Sequence, residues 1–234
     1  MREAVVVADV HAPADVHGVH AAEGHSRWTC LARRTGLHGG WEAVEWAWLP
    51  PGGVSGEHLH SRTEELYFLL SGRGEITLDG RPLPVRAGDT VLTGLGTRHA
   101  LRNTGRRPLA WLVVELTTTD TTKEQQMDRH RSAVIRDLRR HGPLDASTVL
   151  TGPLRTVRLT RLPAGGSTAL DAHGEEHTVF ITGGSGTARA TGRHVSVTRG
   201  TALTLPLGTS VWLSAGSEGL EYFHAALAVP EGPQ

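Results

Sequence analysis

The sequence predicts an all-β protein built from two copies of a small sandwich or barrel. Glycine (29 residues) and proline (12 residues) are frequent among the 234 residues, which favours short strands joined by tight turns. Runs rich in β-branched and aromatic residues recur between these turn residues, a spacing typical of sandwiches and barrels. The runs read WEAVEWAWL (41–49), ELYFLL (65–70), GEITL (74–78) and LAWLVVEL (109–116).

The second half of the chain repeats the first. LPPGG (49–53) corresponds to LPAGG (162–166), ELYFLLSG (65–72) to EHTVFITG (176–183), and GDTVLTGLG (88–96) to GTALTLPLG (200–208). Three blocks that recur in the same order are best explained by a duplicated β unit. We therefore predict an N-terminal domain over residues 1–120, a connector over 121–147 and a C-terminal domain over 148–234. Within the connector, residues 127–142 are compatible with either a short helix or a strand.

Net charge and cysteine content exclude several classes of binding partner and of structural site. Lys plus Arg and Asp plus Glu both number 24, so the formal net charge is zero, and we expect no nucleic-acid partner. Cys30 is the single cysteine, which excludes an intrachain disulfide and a cysteine metal cluster. The N-terminal residues show no signal-peptide pattern, and no apolar run approaches the roughly 20 residues that span a bilayer. We therefore expect a cytoplasmic protein with no membrane partner.

One group of histidines has the spacing of a metal site. His58 and His60 are two residues apart, so on a strand their imidazoles share one face. Glu65 opens the next predicted strand, close enough for its carboxylate to join them. His99 must come from a separate strand of the same barrel to complete the set. Three imidazoles and a carboxylate suit one divalent transition metal (Fe, Mn, Co, Ni, Cu or Zn) and leave two positions of an octahedral ion for water, substrate or dioxygen.

These stretches resemble the two motifs of the cupin superfamily. The first, G(X)5HXH(X)3–4E(X)6G, is matched completely by residues 52–72. The second, G(X)5PXG(X)2H(X)3N, is matched by residues 88–103, except that Gly94 stands in place of the proline. The resemblance is strong over 45–116 and extends over 150–228 through the repeat. It implies a bicupin, that is, two tandem jelly-roll β-barrels, with a metal held by His58, His60, Glu65 and His99, and a homodimeric assembly.

The second copy departs from this pattern at the ligand positions. Two alignments place different pairs opposite His58 and His60: Asp171 with His173 when aligned from LPAGG, or Ala169 with Asp171 when aligned back from Glu176. In either alignment Val211 replaces His99, and valine cannot bind a metal. We therefore predict a degenerate C-terminal cupin domain that serves packing or dimer contact. Whether Asp171, His173 and Glu176 retain weak metal binding stays open.

Strand alternation predicts the residues of a substrate pocket. Tyr67, Leu69 and Leu101 share the parity of the ligands, and Trp46 and Trp48 share one face of their strand. If the tryptophan face looks inward, it forms a flat apolar wall for an aromatic or polyene substrate; the alternative is ordinary core packing. Five N-terminal histidines show no ligand spacing: His11, His17, His20, His25 and His38.

The predicted function is a metal-dependent enzyme that acts on a small oxygenated metabolite (enol, carbonyl or aromatic) of secondary metabolism. Fe(II) and dioxygenase-type chemistry are favoured because the ligand set resembles that of quercetinase-like cupins. With a redox-inert ion the site would instead polarise a carbonyl for isomerisation or cyclisation, as in polyketide cyclases. In these reactions Glu65 would act as the base and Tyr67 would relay a proton. A non-catalytic cupin that only binds a small molecule is the alternative outside enzymes.

Overall fold

The fold is described from a computed structural model that covers residues 4–118, 133–190 and 192–229. Strands of the first half are β1 (Val6–Asp9), β2 (Ala14–His17), β3 (His25–Arg33), β4 (Trp41–Leu49), β5 (Val54–Leu59), β6 (Thr63–Ser71), β7 (Arg73–Leu78), β8 (Arg81–Arg86), β9 (Asp89–Thr93), β10 (Arg98–Arg102) and β11 (Leu109–Thr117). Strands of the second half are β12 (Ala133–Asp137), β13 (Leu144–Asp145), β14 (Leu154–Leu162), β15 (Ser167–Asp171), β16 (Glu175–Ala190), β17 (Arg193–Thr198), β18 (Thr201–Leu205) and β19 (Ser210–Ala228). The α-helix α1 (Leu138–His141) is a single turn, and no helix in the described ranges has the length and apolarity to cross a bilayer.

The N-terminal barrel is formed by two antiparallel sheets. One has seven strands in the order β12-β9-β6-β11-β4-β3-β2, and the other has four in the order β5-β10-β7-β8. Apolar side chains from both sheets meet in one core cluster, which includes Tyr67 and Trp111 from the larger sheet and Ile76 and Leu101 from the smaller. The alternating apolar and polar residues of these strands therefore bury one face of each sheet, as the sequence pattern predicts.

The C-terminal barrel has the same plan, but its strands run on through the corners. Its sheet follows the order β1-β18-β16-β19-β14-β13, with β15 also on β19 and β17 also on β16. The long strand β16 bends at Gly184, where φ is +74° and a Cβ would lie 2.1 Å from the carbonyl oxygen of Gly219. Gly72 has φ +82° at the corner between β6 and β7 of the first barrel. Glycine is required at such corners because other residues strain there. The all-β prediction of two tandem barrels is confirmed.

Each half of the chain contributes one strand to the sheet of the other half. β1 pairs with β18 of the C-terminal barrel, with Asp9 opposite Thr201. β12 pairs with β9 of the N-terminal barrel, with Asp137 opposite Asp89. Residues 133–141 of the predicted connector thus form both a strand and a one-turn helix, whose first turn is capped by the Asp137 carboxylate. The part of the connector before residue 133 lies outside the described residues.

Two buried carboxylates fasten the barrels together. The Glu64 carboxylate accepts hydrogen bonds of 2.8 Å from the backbone N–H groups of Thr151 and Gly152. The fully buried Glu176 carboxylate accepts N–H groups from the other barrel: His38 and Gly39 backbone and the Trp41 indole, at 2.8–2.9 Å. Between these anchors the two barrels share a continuous apolar core. Both barrels are therefore held in a fixed relation by donors that fully satisfy two buried charges.

Candidate metal centre

The four predicted ligands meet inside the N-terminal barrel. His58 lies on β5, His60 just after it, Glu65 on β6 and His99 on β10. One ligand atom of each lies within 4.8 Å of the others. His58 and His99 are direct cross-strand partners in the smaller sheet, whereas Glu65 comes from the larger sheet. The group therefore forms only when the two sheets close on each other.

Backbone and hydroxyl partners fix the two motif histidines with one nitrogen free. The Nδ1 of His58 lies 2.9 Å from the carbonyl oxygen of Gly56, so it carries the proton. The Nδ1 of His60 lies 2.8 Å from Thr63 Oγ1, whose hydroxyl donates to Glu115 at 2.8 Å. Because that hydroxyl proton is already used, His60 Nδ1 must donate as well. In both rings the Nε2 lone pair is left pointing at the centre, which is the state a metal ligand needs.

Unpartnered atoms at the centre test whether a metal fits. Four buried atoms of the ligand residues have no hydrogen-bond partner: His58 Nε2, His60 Nε2 and Glu65 Oε2, which face the centre, and His99 Nδ1. The Glu65 oxygen lies 2.8 Å from His99 Nε2 and 3.4 Å from His60 Nε2, without hydrogen-bond geometry. Leaving a buried polar atom unpaired costs roughly 1–3 kcal/mol. Convergent lone pairs of this kind are satisfied by a cation, so the residues present fit one divalent transition metal.

The electrostatics of the group favour the deprotonated forms of two of its ligands, Glu65 and His58. Burial alone would raise the pKa of Glu65, but the imidazoles of His60 and His99 beside its carboxylate hold that pKa well below its usual range. Burial lowers the pKa of His58 to about 4, and His99 adds to the effect. His60 differs: burial would lower its pKa, but the carboxylates of Glu65 and Glu115 outweigh burial and raise it. A carboxylate and a neutral imidazole are thus present before any ion binds.

Tyr67 supplies a hydroxyl beside the ligands. Its side chain is buried, and its oxygen lies 3.3 Å from His99 Nε2. Burial raises the pKa of Tyr67 well above its usual value, and the Glu65 carboxylate raises it further. The phenol is therefore a neutral group that can both donate and accept a hydrogen bond at the centre.

A cavity of about 390 Å³ opens beside the ligands. Its volume suits a small organic molecule. Three carboxylates, three aromatic rings and two imidazoles are among the residues that line it: Glu45, Glu65, Glu115, Trp28, Tyr67, Trp111, His20 and His60. The cavity is thus walled by flat apolar rings and by an unusual number of acids.

The structure separates the other predicted pocket residues from this cavity. Glu45 and Ala47 face the cavity, so Trp46 and Trp48 lie on the opposite face of β4. There the two tryptophans line a cleft of about 310 Å³ between the barrels. Leu69 and Leu101 are buried in the core of the N-terminal barrel and do not line the metal cavity. The aromatic wall of the cavity is instead formed by Trp28, Tyr67 and Trp111.

His20 also belongs to the site, although its position in the sequence does not predict this. Its imidazole is stacked on that of His58, with ring centroids 3.6 Å apart and an interplanar angle of 23°. It comes from the turn after β2 and lines the cavity. No spacing links it to the motif histidines, because a turn 38 residues upstream carries no strand periodicity relative to them. Only the folded chain brings a fourth imidazole to the group.

The equivalent positions of the C-terminal barrel are apolar. Leu170 pairs with Val211 there as His58 pairs with His99 in the first barrel. Both sequence alignments are therefore displaced by one residue. The four ligand positions correspond to Leu170, Ala172, His177 and Val211. The leucine, alanine and valine are buried in the barrel core, and no second metal-binding group occurs within the described part of the chain.

The polar residues around that degenerate site are otherwise engaged. His177, at the position of Glu65, is buried, and its Nδ1 lies 3.1 Å from His224 Nε2. The Arg158 guanidinium donates to the other nitrogen of His224 at 2.9 Å, and burial lowers the pKa of His224 to about 3. Asp171 and His173 are exposed, and Glu176 anchors the other barrel. The three residues left open by the sequence therefore do not converge.

Comparison with known proteins assigns a segment of the N-terminal half to a protein family. The protein family described as "Cupin domain" matches residues 46–115. Residues 46–115 are a cupin domain. Among curated relatives, the oxalate-binding protein of Thermotoga maritima is 39% identical over 66 residues, which are 28% of this chain and 54% of that protein. Polyketide synthase CurC of Streptomyces cyaneus is 38% identical over 55 residues, 24% of this chain and 36% of that protein. The chain thus spans about half the length of these relatives, or less.

Solved structures extend the cupin fold to the whole chain. Ylba from E. coli aligns with a TM-score of 0.73 at 9% identity, covering 100% of this chain and 95% of its own. The nickel(II) complex of the pirin YhhW from E. coli aligns at 0.71 and 14%, covering 97% and 100%. Salicylate 1,2-dioxygenase from Pseudaminobacter salicylatoxidans aligns at 0.63 and 17%, covering 86% and 76%. At these identities the likeness concerns the fold alone. The bicupin with a degenerate C-terminal barrel is confirmed.

Proposed function

We propose that the N-terminal barrel is the active site of a metal-dependent enzyme that acts on a small, uncharged, oxygenated metabolite. One observation carries this: three unpartnered ligand atoms converge at the edge of a cavity of about 390 Å³. A site that only stabilised the fold would be closed by protein on every side. Here the ligands lie next to space for a small molecule.

The residues around the cavity have distinct roles in this proposal. A divalent transition metal, for which we propose Fe(II), would supply Lewis acidity and redox chemistry with dioxygen. His58, His60, Glu65 and His99 hold it. Tyr67 presents a hydroxyl to the bound molecule and can pass it a proton, and the rings of Trp28 and Trp111 exclude water from the reacting atoms.

The charge of the cavity wall restricts the substrate. The carboxylates of Glu45, Glu65 and Glu115 all face the cavity. The single guanidinium among the lining residues, that of Arg27, lies 3.2 Å from the Asp15 carboxylate and 5.2 Å from the Trp48 ring centroid. Burial and the neighbouring acids raise the pKa of Glu45, so a divalent ion would at most balance the charge of this wall. The wall offers an anionic ligand no excess of positive charge, so we propose a neutral enol, carbonyl compound or phenol as substrate.

A second reaction class has support from a relative. CurC is described as a polyketide synthase and is 38% identical to this chain over 55 residues. Lewis-acid isomerisation or cyclisation of a polyketide-like carbonyl is therefore the second candidate. The oxalate-binding protein supports a third candidate, non-catalytic binding of a small ligand.

We also propose a cytoplasmic homodimer without nucleic-acid or membrane partners, which sedimentation and fractionation can test.

Metal analysis followed by oxygen uptake tests the proposal. Untagged protein is purified, its metals are measured, and the Fe(II)-loaded form is given neutral enols, catechols and β-diketones in an oxygen electrode. Substrate-dependent oxygen consumption supports the oxygenase. Product formation without oxygen consumption, retained by the Zn(II)-loaded form, supports the isomerase or cyclase. Ligand binding without any turnover would leave only the binding protein, and a chain that takes up no transition metal would refute all three metal-dependent readings.

A further inference from the structure

The turn between β2 and β3 places an imidazole directly on a metal ligand. The ring centroids of His20 and His58 are stacked at 3.6 Å, whereas the ring pairs among His58, His60 and His99 lie 4.3–5.1 Å apart. His20 Nδ1 also lies 3.0 Å from Ser55 Oγ on β5, the strand that carries His58. One ring face of His20 is thus covered, although the residue as a whole remains exposed to solvent.

The backbone of this turn is held in an uncommon conformation. His20 has φ +51° and Ala21 has φ +59°, values that side-chain-bearing residues rarely adopt. The turn presses on β5 at Gly56, where a Cβ would lie 2.0 Å from the His20 carbonyl oxygen. A larger residue at position 56 would therefore displace the turn. A strained conformation that is maintained by close packing is found mainly where geometry serves function.

Apart from the neighbouring ligands His60 and His99, whose rings meet it edge-on at 4.9 and 4.3 Å, His58 is held by one hydrogen bond. Its Nδ1 bonds to the Gly56 carbonyl oxygen, which holds one edge of the ring, and no side chain donates to it. Rotation about that one bond would swing Nε2 away from Glu65 and His99. The stacked His20 ring blocks this rotation because it lies flat against the His58 face. Gly56 thus serves both groups: its carbonyl holds His58, and its missing side chain admits the turn that carries His20.

We propose that His20 is a positioning residue for the metal centre, and that it acts by stacking on His58 and holding that ring in its metal-binding orientation. The inference rests on the proposed metal site and concerns metal binding, not the reaction. In this proposal the flat ring of His20, and not its nitrogen atoms, holds the His58 ring in place. A phenyl ring at position 20 should therefore replace it, whereas loss of the ring should not be tolerated.

The test measures the affinity of the full chain for Zn(II) by competition with a chromophoric chelator, together with the absorption bands of the Co(II) form. His20→Gly removes the ring but keeps the turn, because glycine adopts φ +51° without strain. We expect this variant to bind Zn(II) about 10-fold more weakly and to change the Co(II) spectrum. His20→Phe should stay within about 3-fold of the wild type. His11→Ala, an exposed histidine of the same segment, is the control and should change neither.

Each other outcome counts against the proposal. Unchanged Zn(II) affinity and Co(II) spectrum in His20→Gly would show that the stack does not position His58. A His20→Phe variant as weak as His20→Gly would show that the nitrogens and not the ring are needed. Gly56→Ala, which displaces the turn, should weaken Zn(II) binding as His20→Gly does. A wild-type Zn(II) affinity in Gly56→Ala would also contradict the proposal. A wild-type chain that binds no Zn(II) would remove the proposed function as well, and so separates the two failures.

Discussion

Glu65 and Glu115 stand directly opposite each other in the antiparallel pair of β6 and β11. His60 lies between their carboxylates, with Nε2 3.4 Å from Glu65 and Nδ1 3.7 Å from Glu115. Like charges in direct cross-strand contact destabilise a sheet. The repulsion between the two carboxylates is therefore offset by the imidazole between them, whose Nε2 faces the candidate metal centre and whose Nδ1 donates a hydrogen bond. Stability of the sheet and metal affinity are coupled through this pair.

We predict that Glu115→Gln separates these two effects. Loss of the charge behind Thr63 and His60 should weaken Zn(II) binding about 10-fold, since such outer partners typically contribute 10–100-fold. The same change removes a like-charge contact, so the metal-free protein should melt at an equal or higher temperature. Competition titration and thermal melting measure the two quantities. Glu57→Gln, on an exposed β5 residue, is the control. Equal Zn(II) affinity in Glu115→Gln and wild type would contradict the prediction.

Metal content should depend on one barrel only. His99→Ala removes a ligand and should reduce bound transition metal by at least 10-fold in elemental analysis of purified protein. Val211→Ala changes the matching position of the C-terminal barrel, where a buried apolar side chain is part of the core, and should leave metal content unchanged. His173→Ala, at an exposed histidine, should also have no effect. Loss of metal in either C-terminal variant would show that the second barrel holds an ion.

The anchor between barrels should be measurable as stability. Glu176→Gln replaces a carboxylate that accepts four N–H groups with an amide whose own N–H₂ opposes them. We expect a loss of about 2–3 kcal/mol in the free energy of urea unfolding, the usual cost of unsatisfied buried donors. Glu218→Gln, at an exposed residue of β19, should change it by less than about 0.5 kcal/mol. A Glu176→Gln variant as stable as Glu218→Gln would mean that the barrels do not depend on this contact.

Acid should weaken a further link between the two halves of the chain, the ion pair of Arg139 and Glu221. Arg139 of α1 holds Glu221 of β19 through two hydrogen bonds of 2.8 Å, and the guanidinium lowers the pKa of Glu221 below its model-compound value of 4.5. A lowered folded-state pKa gives stability that is present above about pH 4.5 and is lost as pH falls through the folded value. Glu221→Gln should therefore be about 0.5–1 kcal/mol less stable at pH 7, a modest value because Arg139 is half exposed. Unfolding curves at pH 7 and pH 3 should show this difference shrinking, and a difference that persists at low pH would contradict the assignment.

The ligands could be predicted from the sequence because metal binding fixes short spacings. His58 and His60 share a strand face by alternation, and the two motifs place Glu65 and His99 on defined neighbouring strands. The pocket could not be predicted in the same way. Alternation groups Trp46 with Trp48 but does not say which face of β4 is inside, and that depends on pairing with β11. The contact of His20 with His58 follows from the path of a turn, which leaves no periodic signal.

The one-residue displacement in the second barrel has a similar origin. The repeats differ by one residue between LPAGG and β15, and the pairing of β16 with β18 shows that Glu176 matches Glu64 and not Glu65. Alignment from either side therefore misses the register that β15 adopts on β19. The exchanged strands were hidden because they are short. In retrospect, a shared pattern marks them: Asp9 and Asp137 each precede an apolar residue, and a proline followed by an apolar residue and an aspartate comes a few positions later. Four or five residues of strand cannot establish such a match without the sheet.

The crossed strands β1 and β12 make the two barrels dependent on each other for folding. A chain divided between residues 118 and 133 would leave β9 as an uncovered edge in one fragment and β18 in the other. Each fragment would also carry a strand with no sheet of its own. Uncovered edges of this kind template unwanted pairing. The C-terminal barrel thus forms part of the scaffold on which the other barrel closes, and a shortened protein made for study of the candidate metal centre should keep both.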